Sequence, residues 1–370
     1  MISKIDLKNF KCYAEQSFNL SSLTIFCGNN SVGKSTAIQA LAIPLQSSFE
    51  GQVLISGRLV ELGGLNDIYS EYANDEELKI SLTIDKEKFE WGELSVGENS
   101  AQDHLKTIGS KINNDIKKKY FSEKGFQFLE AERLGPRTYL KNNYDNSIGY
   151  WGGAKGEFIY QILDQITNTR LNLSEDDKRV LKPDEGLGVR RNISNWMSEI
   201  SPGFNFESDN VKDAGISHAQ FQNYGSRKNK PINMGFGLSY ALSVVTALMV
   251  TKPGGLVIIE NPEAHLHPRG QSFLGRLIAR TALSGVQVII ETHSDHLLNG
   301  IRVVSRLEDD YQKGDFKVFY ISGRENTPSK VTEIDIGNKG ELSEWPEGFF
   351  DQQAYDVKTL IKGFELGKVE

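Results

Sequence analysis

Apolar residues fall in short runs whose spacing changes along the chain. The start, Met1-Ile2-Ser3-Lys4-Ile5-Asp6, alternates as a strand does. Ile2, Ile5, Leu7 and Phe10 lead a strand pair that closes with Phe18-Asn19-Leu20. Leu23-Thr24-Ile25-Phe26-Cys27 is a continuous apolar, β-prone run. Residues 37–46 have helical composition, with Pro44 marking the helix end. Leu78-Lys79-Ile80-Ser81-Leu82-Thr83-Ile84 alternates again, as a half-exposed strand does. Residues 1–94 therefore predict a β-rich lobe.

Residues 95–230 hold few long apolar runs and many Asn, Lys and Asp, which predicts a mostly helical insertion, with one helix around 157–167. An ordered island within it reads Phe128-Leu129-Glu130-Ala131-Glu132-Arg133-Leu134-Gly135-Pro136-Arg137. From 231 to 315 the pattern tightens. A long apolar helix runs to Met249, then come the apolar strand Leu256-Val257-Ile258-Ile259, a helix over about 271–282, and a second buried strand, Val286-Gln287-Val288-Ile289-Ile290. Strand, helix, strand with continuous apolar strands predicts a parallel sheet covered on both faces. The region 316–370 adds short strands at 317–321 and 331–336, the stretch Trp345-Pro346-Glu347-Gly348-Phe349-Phe350-Asp351-Gln352 and a short helix, completing or capping the rest. The fold class is α/β, a mixed sheet with a β-rich N-terminal lobe.

With 370 residues and ordinary apolar content, the chain has ample material for a large core. A net charge of −7 argues against wholesale coating of nucleic acid, although basic spots at 111–119, 190–191 and 227–230 leave local DNA contact open. Cys12 and Cys27, each next to a predicted strand, read as small buried side chains rather than a disulfide. No signal-peptide pattern opens the chain and no apolar run is long enough to cross a bilayer, so a cytoplasmic location without membrane contact is expected.

Residues 28–36, Gly28-Asn29-Asn30-Ser31-Val32-Gly33-Lys34-Ser35-Thr36, match the phosphate-binding loop G-x-x-x-x-G-K-[ST]. The run before it is strand-like and the run after it helical, the context that gives the motif its meaning. Glycines let successive backbone N–H groups turn toward phosphate oxygens. Lys34 reaches the β- and γ-phosphates, and the Ser35 hydroxyl is placed for Mg²⁺. Glu260, the first acid after an apolar strand, suits a second magnesium contact. His293, after the other buried strand, is placed to meet a terminal phosphate or orient water. His265 and His267 sit two apart beside carboxylates, which fits zinc or simply a packed turn.

These segments resemble the ABC-type ATPase heads of the SMC, RecF and OLD-nuclease group: residues 28–36 as Walker A, 256–260 as the Walker B strand, and Thr292-His293-Ser294 as the switch-histidine segment. More narrowly, the chain resembles bacterial predicted ATPases that share Ala131-Glu132-Arg133-Leu134-Gly135-Pro136-Arg137, Glu260-Asn261-Pro262-Glu263-Ala264-His265-Leu266-His267-Pro268 and the Trp345 to Gln352 stretch. The resemblance implies an ABC-type P-loop head interrupted by the insertion, with ATP and Mg²⁺ as cofactors. It also implies a homodimer or higher oligomer of heads with ATP sandwiched between them, a separate nuclease-like effector, and a role in anti-phage defence or DNA maintenance. Asn233-Met234-Gly235-Phe236-Gly237 is the candidate signature segment, with Gly235 and Gly237 facing the partner's nucleotide.

One departure bears on mechanism. Such heads carry Asp-Glu where this chain has Glu260-Asn261, so an amide stands at the position of the general base. Glu263 is the nearest substitute. Without a base the protein is instead a weakly hydrolysing, ATP-gated sensor or scaffold.

Overall fold

The computed structural model describes residues 1–49, 51–96, 102–145, 149–323 and 327–363. Its centre is a mixed sheet in the order Lys330–Asp335, Phe316–Ser322, Leu23–Gly28, Gln287–Glu291, Leu256–Glu260, Phe126–Leu129. Only the Lys330–Asp335 strand runs antiparallel to its neighbour. The expected parallel core is therefore present, and its strands are mostly apolar and buried along most of their length because each side of the sheet faces a core. Val257, Ile259, Val288 and Ile290 enter one core with the helices Phe236–Val250, Pro268–Leu283 and Asp295–Leu307. Leu256, Ile258 and Ile289 enter the other with the helix Lys34–Gln46 and the N-terminal strands.

A second sheet, antiparallel throughout, runs in the order Tyr13–Asn19, Ile2–Phe10, Leu78–Ile84, Glu87–Glu93, His104–Ile108, Gln52–Leu54. Phe10 and Tyr13, at the tip of the first hairpin, are core residues. Pro44 lies within the last turn of Lys34–Gln46 rather than after it. A proline there gives up one N–H, and its carbonyl still accepts from Phe49 N at 2.9 Å.

The 95–230 segment carries the amphipathic helices Ile159–Thr169 and Val189–Ile200, but a helical description of it is incomplete. His104–Ile108 and Phe126–Leu129 belong to the two large sheets. Tyr139–Lys141, Phe204–Val211 and Ile216–Asn223 form a third, antiparallel sheet on which the two helices pack. Several of its basic residues are engaged locally: Arg190 donates to Phe206 O at 2.7 Å, and Lys228 pairs with Glu207 at 2.5 Å. Among the described residues, no helix is long and apolar enough to cross a membrane.

Candidate functional site

The loop after Leu23–Gly28 is shaped by two close approaches. Gly28 has φ +141°, and a Cβ there would stand 2.0 Å from Ile321 O on the adjacent strand. Gly33 has φ +105°, and a Cβ would meet Cys12 Sγ at 2.4 Å. Neither position tolerates a side chain. The hairpin tip braces the loop from behind: Tyr13 OH donates to Gly33 O at 2.9 Å, and Lys11 Nζ donates to Gln39 Oε1 at 2.9 Å. Asn29, Asn30 and Ser31 are exposed, Ser31 in the left-handed region, whereas Val32 and Thr36 are buried. Ser329 Oγ ties down Val32 O at 2.7 Å.

Lys34 is only 3% exposed, and its Nζ turns back to Asn29 O. Burial lowers its pKa, partly offset by Glu291, whose Oε1 is 3.9 Å away. The Ser35 hydroxyl donates to Glu291 Oε2 at 2.8 Å. Glu291 pairs in parallel register with Glu260, so both carboxylates leave the sheet at the same level, at the carboxyl ends of adjacent strands. Glu260 Oε2 accepts from Ala131 N at 3.1 Å. Burial, with the Glu291 charge beside it, pushes the Glu260 carboxyl up to about 7, and burial raises that of Glu291 too. The donor set is hard oxygen: one hydroxyl and two carboxylates. That fits Mg²⁺, which binds through one or two carboxylates and completes its shell with phosphate oxygens and water.

Asn261 adopts φ +45°, a conformation that asparagine accepts more readily than glutamate. Its carbonyl and that of Glu260 are held by Arg133, at 2.7 and 2.6 Å. Arg133 is 2% exposed, and burial lowers its pKa to about 10. Glu263 is 8% exposed. Its Oε1 accepts from His293 N at 2.7 Å, its Oε2 is buried without a partner, and burial raises its pKa. The His293 ring is exposed, with Nε2 3.9 Å from Glu291 Oε1, and its pKa is lowered by burial and then by Lys34, which favours the neutral imidazole.

The structure thus brings Lys34, Ser35, Glu260, Glu263 and His293 together, as their strand-end positions imply. Gly235 and Gly237 open the helix Phe236–Val250. Gly235 is exposed with open space around it, whereas a Cβ on Gly237 would stand 2.3 Å from His265 O. His265 packs edge-on against Phe236 and Tyr240, and His267 Nδ1 caps Arg269 N at 3.3 Å. The packed-turn reading of this pair accounts for both rings.

A cavity of about 400 Å³ lies over the start of the loop, lined by Gly28, Asn29, Asn30, His293, Tyr320 and residues 348–352. A second of similar volume reaches Glu260 from the 57–62 loop and the Glu130 side.

Residues 23–299 match the family described as "AAA domain, putative AbiEii toxin, Type IV TA system". The chain belongs to that family. Residues 312–360 also match a family described as a protein of unknown function, DUF3696. Septu protein PtuA of Bacillus mycoides (strain KBAB4) is 23% identical over 325 residues, covering 81% of this chain. The chain spans only 39% of that relative's length. Among solved structures, an Smc head domain with an extended coiled coil from Pyrococcus furiosus, bound to the C-terminal domain of ScpA, aligns with TM-score 0.54 at 14% identity. That alignment covers 98% of this chain and 99% of the other. The Smc head domain of Pyrococcus yayanosii, with a coiled coil and joint, gives 0.52 at 12% identity, covering 90% and 97%. The fold of this AAA-family chain is thus that of an SMC-type P-loop head.

Two residues of this cluster, Glu291 and Arg133, carry no role in the sequence reading. Glu291 had a usable signal, since it is the first acid after a buried strand, as Glu260 is. Arg133 stands in the 131–137 stretch that carries the family resemblance, but its role is not readable there, because the carbonyls of Glu260 and Asn261 that it holds lie far away in sequence.

Proposed function

We propose that the chain is a slow ATPase that binds ATP with Mg²⁺ at the 28–36 loop. The observation that carries this reading is the cluster of buried Lys34 and Glu291 with half-buried Ser35 and Glu260, where the start of the helix Lys34–Gln46 meets the ends of two adjacent parallel strands. Within the chain Lys34 meets Asn29 O and Glu291, and Ser35 donates to Glu291. With a triphosphate and its cation bound, Lys34 would exchange these partners for phosphate oxygens, and the Ser35 hydroxyl would turn its oxygen to the cation instead of donating to Glu291. Backbone N–H groups of Asn29 to Gly33 hold the phosphates, Lys34 bridges β and γ, and Thr36 closes the loop. Ser35 and Glu260 hold the metal. Neutral His293 meets the terminal phosphate, and Glu263 supports hydrolysis by fixing the His293 backbone. Two heads close on the nucleotide, with Gly235 and Gly237 of one reaching that of the other, and closure controls a separate, nuclease-like effector. DNA contact belongs to the same reading, as does a place in anti-phage defence or DNA maintenance, with which the similarity to a Septu protein PtuA is in keeping.

Asn261 favours a second reading, in which the chain binds ATP, barely turns it over, and holds its effector inactive. Purified protein with radiolabelled ATP and Mg²⁺ tests both. Binding that is lost in Lys34→Ala, with measurable single-turnover hydrolysis, supports the ATPase. Lysine-dependent binding without hydrolysis supports the sensor. Binding that survives Lys34→Ala overturns both.

A further inference from the structure

The sequence stretch from Trp345 to Gln352 finds no place in the function above, yet it folds back onto the nucleotide site. Phe349 is 1% exposed, with its ring edge-on to Tyr320 at 5.4 Å and to Trp345 at 5.1 Å. Tyr320 OH donates to Glu347 O at 3.1 Å. Phe349 N donates to Pro346 O at 3.1 Å, and Gly348 N donates to Asp351 Oδ2 at 2.9 Å. The turn is therefore fixed from behind by a buried aromatic and from within by its own hydrogen bonds. Its front, residues 348–352, forms one wall of the cavity whose other walls are the start of the phosphate loop and His293. Lys34 does not line this cavity itself, but its ammonium donates to the carbonyl of Asn29, which does, so on the ATPase reading a terminal phosphate held by Lys34 would lie toward it.

In-line hydrolysis needs an acceptor beside the attacking water. Asn261 carries an amide. Glu263 lies inward, with one oxygen given to His293 N. Glu291 is on the Ser35 side. Among the described residues lining the cavity, Asp351 is the one carboxylate. Resting on the ATPase reading, we propose that Asp351 is the catalytic residue that orients the attacking water and takes its proton, supplied in cis by the C-terminal turn. The water oxygen bonds to the terminal phosphorus, and the bond from that phosphorus to the bridging oxygen breaks. ADP leaves with the electron pair, and the proton shed by the water passes to the Asp351 carboxylate and on to solvent.

Asp351→Asn isolates this chemistry, because the amide oxygen still accepts from Gly348 N while the base is lost. The expected result, by single-turnover hydrolysis and equilibrium ATP binding, is a rate lower by about 100-fold with ATP affinity within about twofold of the parent. Asp351→Glu restores part of the rate, which a purely structural role would not produce. Asp351→Asn hydrolysing at the parental rate, while Lys34→Ala binds no ATP, overturns the assignment alone. A parent protein that binds no ATP overturns the ATPase reading and the assignment with it.

Discussion

Glu260 shows how burial writes function into a single carboxyl. Its folded-state pKa is about 7 against an ordinary 4.5, because burial and the Glu291 charge both disfavour ionisation. A raised acid stabilises the fold fully below its unfolded pKa, and that contribution is lost as pH rises through its folded pKa. The window is therefore about 4.5 to 7. Glu260→Gln keeps an acceptor for Ala131 N and removes the charge. In urea unfolding of the ligand-free protein it is expected to gain roughly 1–3 kcal/mol over the parent at pH 8 and little at pH 4.5. Cation binding has the opposite demand, since only the ionised form holds Mg²⁺. Magnesium-dependent ATP binding should strengthen through pH 7 in the parent and be weak and flat in Glu260→Gln. Lys34, Ser35 and Glu260 are legible in sequence because motif and strand end name them. The Ser35 to Glu291 bond is not legible, since the two residues lie 256 positions apart and only strand adjacency brings them together.

Helices and strands differ in how much of themselves they disclose. The strands Leu256–Glu260 and Gln287–Glu291 announce themselves as apolar runs because cores press on both faces. Phe204–Val211 and Ile216–Asn223 do not, because they bury only one face and mix Asn, Ser and Gln into it. The helix Phe236–Val250 is apolar on all sides, and its end is secured from a distance. Arg179, 2% exposed, donates through Nη1 to Leu248 O and Thr251 O, each at 2.7 Å, and pairs through Nη2 with Asp177 Oδ2 at 2.6 Å. Asp177 is itself held by Ser284 Oγ at 2.9 Å on the end of the neighbouring helix. Arg179 therefore caps one helix and ties it to the next. Arg179→Ala leaves a buried carboxylate uncompensated and two carbonyls unpaired, so a loss of about 3–5 kcal/mol in denaturant unfolding is expected. Asp177 is local, but nothing in the sequence around Arg179 points to the capping, since the carbonyls it holds lie at the end of a helix that begins more than fifty residues later.

At the scale of the whole molecule, the question is what a second head would meet. The order of strands puts the exposed Asn29, Asn30 and His293 on one face with the C-terminal turn, and the helix Phe236–Val250 presents its N-terminal end separately at Gly235. Head-to-tail closure requires that end to approach the partner's terminal phosphate, where backbone N–H groups at a helix start suit an anion. Gly235 offers a clean probe. Its φ of −60° suits any residue, and a Cβ built there meets nothing within 4 Å, so a large side chain leaves the free head unstrained. In the proposed closed dimer, where Gly235 would face the partner's nucleotide, the same side chain would be in the way. Gly235→Arg should therefore bind ATP within about twofold of the parent and keep its thermal stability. Light scattering with Mg²⁺ and ATP should show doubled mass for the parent and single-chain mass for Gly235→Arg. A Gly235→Arg protein that doubles its mass as the parent does would remove this helix end from the interface. A nucleotide-bound dimer would then have to be built from another face, with the 348–352 turn, which borders the cavity at the start of the 28–36 loop, as the next surface to alter.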